Sequence, residues 1–106
     1  MLNNRVQTPW GLAQTVKVID IGIFQYGTAT HGGYYLDEAN NAKVPQFIKD
    51  ATFGMLGRQG WYEEDEDWAY VVLLFPSSFD HRKNQLAADF VRLHTPEIWA
   101  KLERLL

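Results

Sequence analysis

The chain contains no cysteine, so disulfides, thiolate metal ligands and thiol nucleophiles are all excluded. It also lacks a long apolar run. The longest, Trp68 to Pro76, falls far short of the roughly 20 residues that span a bilayer, and the opening residues Met1 to Gln7 hold no apolar stretch of signal-peptide length. A basic excess is missing as well: the net charge is -3, which removes the Lys/Arg footprint with which nucleic-acid binders hold phosphates. Catalytic signatures are absent too, with no G-x-S-x-G, no H-E-x-x-H, no P-loop and no G-x-G-x-x-G. These absences predict a soluble, cytoplasmic protein with no membrane contact, no direct nucleic-acid contact, no cofactor and no ready-made metal site.

What is present suits one core. The 106 residues are 46% hydrophobic and include four Trp, five Tyr and six Phe, enough apolar surface for a single compact domain over 1–106. Residues 1–7 are expected to be loosely held. The turn chemistry of Thr8-Pro9-Trp10-Gly11 predicts an ordered edge segment docked by Trp10. β-Branched and aromatic residues then predict a hairpin of strands at about 14–19 and 22–28, and Tyr34-Tyr35-Leu36 a short third strand. Asp37 is placed to cap a brief helical turn. Pro45 opens a helix over about 45–54, with Phe47, Ile48 and Ala51 on one face and Gly54 or Gly57 as its stop.

The run Asp67 to Phe75 predicts a helix ending at Pro76, with Trp68, Val71, Val72 and Phe75 on one face. Arg82 to His94 reads as an amphipathic helix with Leu86, Phe90 and Leu93 on its apolar side. Thr95-Pro96 caps a final helix carrying Trp99, Leu102 and Leu105 or Leu106. The fold class expected is α+β: a small antiparallel sheet, formed by the N-terminal hairpin and the short third strand, packed by three to four helices from the C-terminal two-thirds.

Charge is sharply localised. Residues 1–62 carry five Lys/Arg against four Asp/Glu, residues 63–80 none against six, and residues 81–106 five against three. The concentration is Glu63-Glu64-Asp65-Glu66-Asp67, flanked by Trp61, Tyr62 and Trp68. Adjacent carboxylates repel one another, so they need helix N-terminal donors, water or a basic partner. One reading is the solvated first turn of the helix that follows. The other is an electronegative patch that steers and orients a partner rich in Lys/Arg, with Tyr62 as an aromatic anchor. Imitation of DNA phosphates is a stronger form of the second reading, although five charges mimic only a short stretch of duplex.

Thr30-His31-Gly32-Gly33 is the other candidate. Its glycines permit positive φ or a close backbone approach, and the imidazole of His31 can serve as acid, base or anion contact. In space, His31 could pair with a carboxylate from 63–67 to hold a metal or activate water. His81 and His94 read as surface residues beside helix ends, without compact metal-ligand spacing.

Together, Thr8-Pro9-Trp10-Gly11, Thr30-His31-Gly32-Gly33, Gly60-Trp61-Tyr62-Glu63-Glu64-Asp65 and Asp67-Trp68-Ala69 resemble a family of small uncharacterised domains in phage, plasmid and other bacterial mobile-element proteins, catalogued as a domain of unknown function. The resemblance covers about residues 8–79 and leaves out the helices after Asp80. It implies a setting in the bacterial host cytoplasm where compact acidic proteins counter host defence, as anti-CRISPR and anti-restriction inhibitors do. The leading expectation is thus a non-enzymatic module that places Tyr62, Glu63, Glu64, Asp65, Glu66 and Asp67 on a basic protein surface, such as that of a defence nuclease or CRISPR effector. The alternatives are a small His31/carboxylate-dependent, hydrolase-like enzyme, metal-dependent or not, and a homo-oligomeric structural module built on the C-terminal helices.

Overall fold

The computed structural model describes residues 6–106, and most of the expected loose start falls outside them. Gln7 is already ordered in a strand, and the backbone N-H of Ala13 donates to the carbonyl of Val6 at 2.9 Å. The chain forms two compact units, one ending at Trp68 and the other running from Ala69 to Leu106.

In the first unit, β1 (Gln7–Thr8) and β2 (Gly11–Leu12) pair across the Pro9-Trp10 turn. The Thr8 hydroxyl donates to the Gly11 carbonyl at 2.7 Å and accepts the Trp10 N-H at 3.1 Å, so the turn is closed by a side chain as well as by the strands. The main sheet follows. β3 (Thr15–Asp20) and β4 (Ile23–Gly27) form the expected hairpin, reversed at Gly22, whose φ of 74° suits a residue without Cβ. β5 (Gly32–Leu36) lies beside β4, and β6 (Trp61–Glu63) beside β5, giving the antiparallel order β3-β4-β5-β6.

The fourth strand is a departure from the expected pattern. Trp61 and Tyr62, read as flanks of an acidic helix start, pair with Tyr35 and Tyr34, and Glu63 pairs with Gly33. Aromatic residues favour a pleated, half-buried surface, and Gly60, at φ 94°, turns the chain into the sheet while its carbonyl accepts the Leu36 N-H at 2.9 Å.

Between β5 and β6 run α1 (Glu38–Asn41), α2 (Gln46–Ala51) and a 3-10 segment, Phe53–Gln59. Asp37 caps α1 by accepting the Asn40 N-H at 2.9 Å, and the helix is as brief as expected. Pro45 sits one step earlier than expected, as the cap of α2 instead of its first residue. Ile23, Leu36, Val44, Ile48 and Tyr62 are buried as the core of this unit. Inside it the Tyr62 hydroxyl donates to Oδ1 of Asn41 at 2.6 Å, and Nδ2 of Asn41 donates to the Gly57 carbonyl at 2.9 Å.

α3 (Trp68–Leu74) is a helix, as expected, and the 3-10 turn beginning at Pro76 ends it. Every residue from Ala69 to Leu73 is buried, so this helix is apolar all round and shows no single face. None of the five carboxylates lies in its first turn; they precede it. In the second unit, α4 (His81–His94) begins at Asp80, which accepts the Lys83 N-H at 2.7 Å, and packs against α5 (Pro96–Glu103).

The buried seam of α4 is Ala87 and Val91, whereas Leu86 and Leu93 are 51% and 76% exposed. The expected Leu86, Phe90 and Leu93 face is therefore corrected: spacing defines a stripe, but it does not say whether large or small residues at neighbouring positions form the seam. Leu102 of α5 is buried, and Leu105 and Leu106 are exposed beyond its end. His81 and His94 are both exposed at the two ends of α4. No helix among the described residues is long and apolar enough to cross a membrane.

Candidate functional site

The antiparallel pairing of β5 with β6 brings the two sequence candidates together. Gly33 is opposite Glu63, and the Glu64 N-H donates to the Gly32 carbonyl at 2.9 Å, so the residue before Gly32 and the residues after Tyr62 meet at one end of the sheet. The glycines are needed for this approach. A Cβ on Gly33 would strike the Tyr62 carbonyl and come within 2.6 Å of the Trp10 ring, and one on Gly32 would come within 3.3 Å of the Glu64 carboxylate. His31 is fixed by Thr28, whose hydroxyl donates to the His31 carbonyl at 2.6 Å and accepts the His31 N-H at 3.1 Å.

The five carboxylates divide into different roles. Glu63 is only 7% exposed. Its Oε1 accepts the N-H groups of Asp65 at 2.8 Å and Glu66 at 3.0 Å, which builds the turn that follows it. Its Oε2 stands 3.8 Å from Nδ1 of His31. Asp67, 2% exposed, is a second structural acid: its Oδ2 accepts the Phe53 N-H at 2.9 Å and the Glu63 N-H at 3.4 Å. Burial pushes the Asp67 carboxyl up to about 6, against the pull of those two hydrogen bonds and with smaller contributions from Glu66 and Glu63. Tyr62 is fully buried, and desolvation followed by the nearby Asp67 charge pushes its phenol upward. Glu64, Asp65 and Glu66 are exposed, and none forms an ion pair among the described residues.

These groups surround a cavity of about 210 Å³ lined by Trp10, His31, Phe53, Glu63, Asp65 and Glu66. Trp10 packs edge-on against Trp61 with ring centroids 5.7 Å apart, and its indole Nε1 is buried without a hydrogen-bond partner among the described residues. Phe53, held at the cavity by Asp67, is 58% exposed. One ligand atom each from His31, Glu63 and Asp65 lies within 4.8 Å of the others.

Of the residues expected to touch a partner, Glu64, Asp65 and Glu66 have exposed side chains, while Tyr62 and Asp67 are enclosed and Glu63 opens only onto the cavity. The Tyr62 phenol is a core group of the folded chain, and Glu64, Asp65 and Glu66 are the members of the expected set whose side chains meet solvent. His31 does meet a carboxylate. The sequence assigns Trp10 only a docking role and Phe53 none; an isolated Phe after a helix carries no sequence signal of its place at a cavity.

The fold and site define a small antiparallel α+β domain with a histidine–carboxylate pocket. Residues 3–105 match the model of DUF7007, a domain of unknown function, and the chain belongs to that family. The match extends through α4 and α5, so the helices that the motif resemblance leaves out are part of the family domain. No curated protein and no solved structure matches the chain.

Proposed function

We propose that the protein is a binding module, not an enzyme, and that its acidic turn docks on a basic protein surface. The observation that supports this reading is the exposed sequence Glu64-Asp65-Glu66, which has no ion-pair partner among the described residues and stands beside the exposed ring of Phe53. Uncompensated like charges raise one another's energy, and a Lys/Arg-rich surface relieves that repulsion on contact. The aromatic ring supplies the apolar part that purely charged contacts lack. The mobile-element setting implied by the sequence motifs points to a bacterial defence nuclease or CRISPR effector as the partner, within the host cytoplasm.

The test is retention of purified defence nucleases and CRISPR effectors on immobilised protein, compared with a Glu64→Lys, Glu66→Lys variant. The native chain should hold its partner in a salt-sensitive way, and the variant should release it with unchanged thermal unfolding. Equal retention by both proteins rules the reading out.

A second reading is favoured by one observation, the approach of His31 to Glu63 at 3.8 Å in a concave pocket. An imidazole and a carboxylate so placed suit a small hydrolase-like site. Turnover of a panel of ester and phosphoester substrates that disappears in His31→Ala would support it, and no His31-dependent turnover would remove it.

A further inference from the structure

We infer that His31, Glu63 and Asp65 bind one divalent transition-metal ion, with the open coordination positions facing the cavity between Trp10 and Phe53. This goes beyond the docking reading and does not depend on it.

Glu63 is the basis of the inference. Its side chain is nine-tenths buried, with 9% of it exposed, yet only one of its oxygens is used by the fold. Oε1 takes both backbone N-H groups of the turn, while Oε2 accepts no hydrogen bond among the described residues. Oε2 is left to the cavity that Glu63 lines, so a cation entering there meets a carboxylate whose other oxygen the fold already holds in place. The neighbour that Oε2 does have is Nδ1 of His31, at a distance longer than a hydrogen bond.

The same hydrogen bonds prepare the second carboxylate, because Oε1 of Glu63 fixes the backbone of Asp65 and so holds that residue beside the cavity. His31 is fixed through its backbone by Thr28, and its side chain remains half exposed and able to turn.

The distances suit an ion. Ligand atoms at about 2.0–2.2 Å from a metal lie roughly 3.0–3.5 Å apart in tetrahedral or octahedral geometry. The His31–Glu63 separation of 3.8 Å and the 4.8 Å limit on the whole set are slightly wider. Small rotations of the exposed His31 and Asp65 side chains close that gap while Glu63 stays fixed. Three protein ligands leave at least one position for water or an added ligand, the arrangement of sites that react or bind and not of sites that only brace a fold.

The donor set selects the class of ion. One imidazole and two carboxylates, with no sulfur, suit Zn²⁺, Mn²⁺, Fe²⁺ or Co²⁺ and give nothing to a soft monovalent ion. The imidazole also argues against Mg²⁺, which prefers oxygen and retains several waters.

The experiment is calorimetric titration of chelator-treated protein with Zn²⁺ alone and with Mn²⁺ alone, at neutral pH. One site per chain is expected, weakened by about tenfold or more in His31→Ala and in Asp65→Ala. Glu64→Gln and Glu66→Gln should leave it within about twofold. Co²⁺ added to the native chain should give visible absorption bands that His31→Ala abolishes, a readout independent of any activity. Circular dichroism confirms that each variant is folded; if His31→Ala does not fold, His31→Gln takes its place.

Absence of binding by both ions overturns the inference. So does binding that His31→Ala leaves unchanged, or that Glu64→Gln weakens as much as His31→Ala, since either result describes ions gathered by surface acids. The two proposals are separable: Glu64→Lys with Glu66→Lys removes docking and, with its reversed charge beside the cavity, weakens the ion without abolishing the Co²⁺ bands, whereas His31→Ala abolishes those bands and retains docking.

Discussion

Asp67 Oδ2 accepts the backbone N-H of Phe53 at 2.9 Å across fourteen residues of chain, and this bond ties a buried acid to the lip of the cavity. Desolvation raises that carboxyl to about 6 from its ordinary 3.8. Between those two values the folded chain binds the proton more tightly than the unfolded chain, so stability increases as pH falls through this window and decreases as pH rises through it. A tenfold difference in proton affinity corresponds to about 1.4 kcal/mol, which makes the gain from pH 7 to pH 4 on the order of 2–3 kcal/mol from this group. Asp67→Asn keeps an acceptor for Phe53 and Glu63 and loses the titration. Urea unfolding of chelator-treated protein at pH 4, 5, 6 and 7 should show that the native-minus-variant difference changes by about this amount. Parallel profiles for the two proteins would count against the assignment.

The neighbouring acids should respond unequally to truncation. Glu63→Ala removes the acceptor of two turn N-H groups in a nearly closed position and should cost about 1–3 kcal/mol in urea unfolding. Glu64→Ala touches an exposed side chain without an ion pair and should stay within about 0.5 kcal/mol. Similar losses at both positions would show that the acidic segment acts as one block of charge, contrary to the division of roles seen in the hydrogen bonds.

That division also explains what is legible in the sequence. The β3–β4 hairpin can be read because the β-branched run Thr15 to Ile19 and the Gly22 turn are local signals, and Asp37 is recognisable as a cap for the same reason. β6 cannot. Three residues, Trp61 to Glu63, are too few for a period-two pattern, and their partners lie 26 to 30 residues earlier in β5. Once β6 is missed, Glu63 and Asp67 look like surface charges, since nothing in their identity shows that backbone N-H groups will satisfy them in the interior. The approach of His31 to a carboxylate is foreseeable as an alternative, but which carboxylate it meets depends on the Gly33–Glu63 register alone.

The Tyr62 hydroxyl offers a test of how specifically the core of the first unit is built. It donates to Asn41 at 2.6 Å, and Asn41 in turn holds the Gly57 carbonyl. Tyr62→Phe leaves Oδ1 of Asn41 buried without its donor and should cost about 1–3 kcal/mol. Adding Asn41→Leu to Tyr62→Phe should cost less than the sum of the two single changes, because the orphaned acceptor is then gone. Strict additivity in a double-mutant cycle would mean that the hydroxyl and the amide do not support each other.

Gly33 provides the sharpest geometric prediction. The residue sits where β5, β6 and the Trp10 turn converge, and an added Cβ would meet the Tyr62 carbonyl and the Trp10 ring. Backbone cannot yield as the end of a flexible side chain can, so Gly33→Ala must either part β5 from β6 or expel Trp10. The expected loss is about 2–3 kcal/mol or more, in the range of overpacked cores. Because Trp10 and Glu63 both line the cavity, the same substitution should increase the exposure of Trp10, seen as a red shift of tryptophan emission before global unfolding begins. Gly54→Ala is the comparison: that position has the positive φ that Gly33 lacks, but its Cβ would make only ordinary contacts with Leu56, so it should carry the backbone penalty of about 1 kcal/mol without the emission shift. If Gly33→Ala proves as mild as Gly54→Ala, the close packing of the Trp10 turn on the β5–β6 end is not what holds this site together.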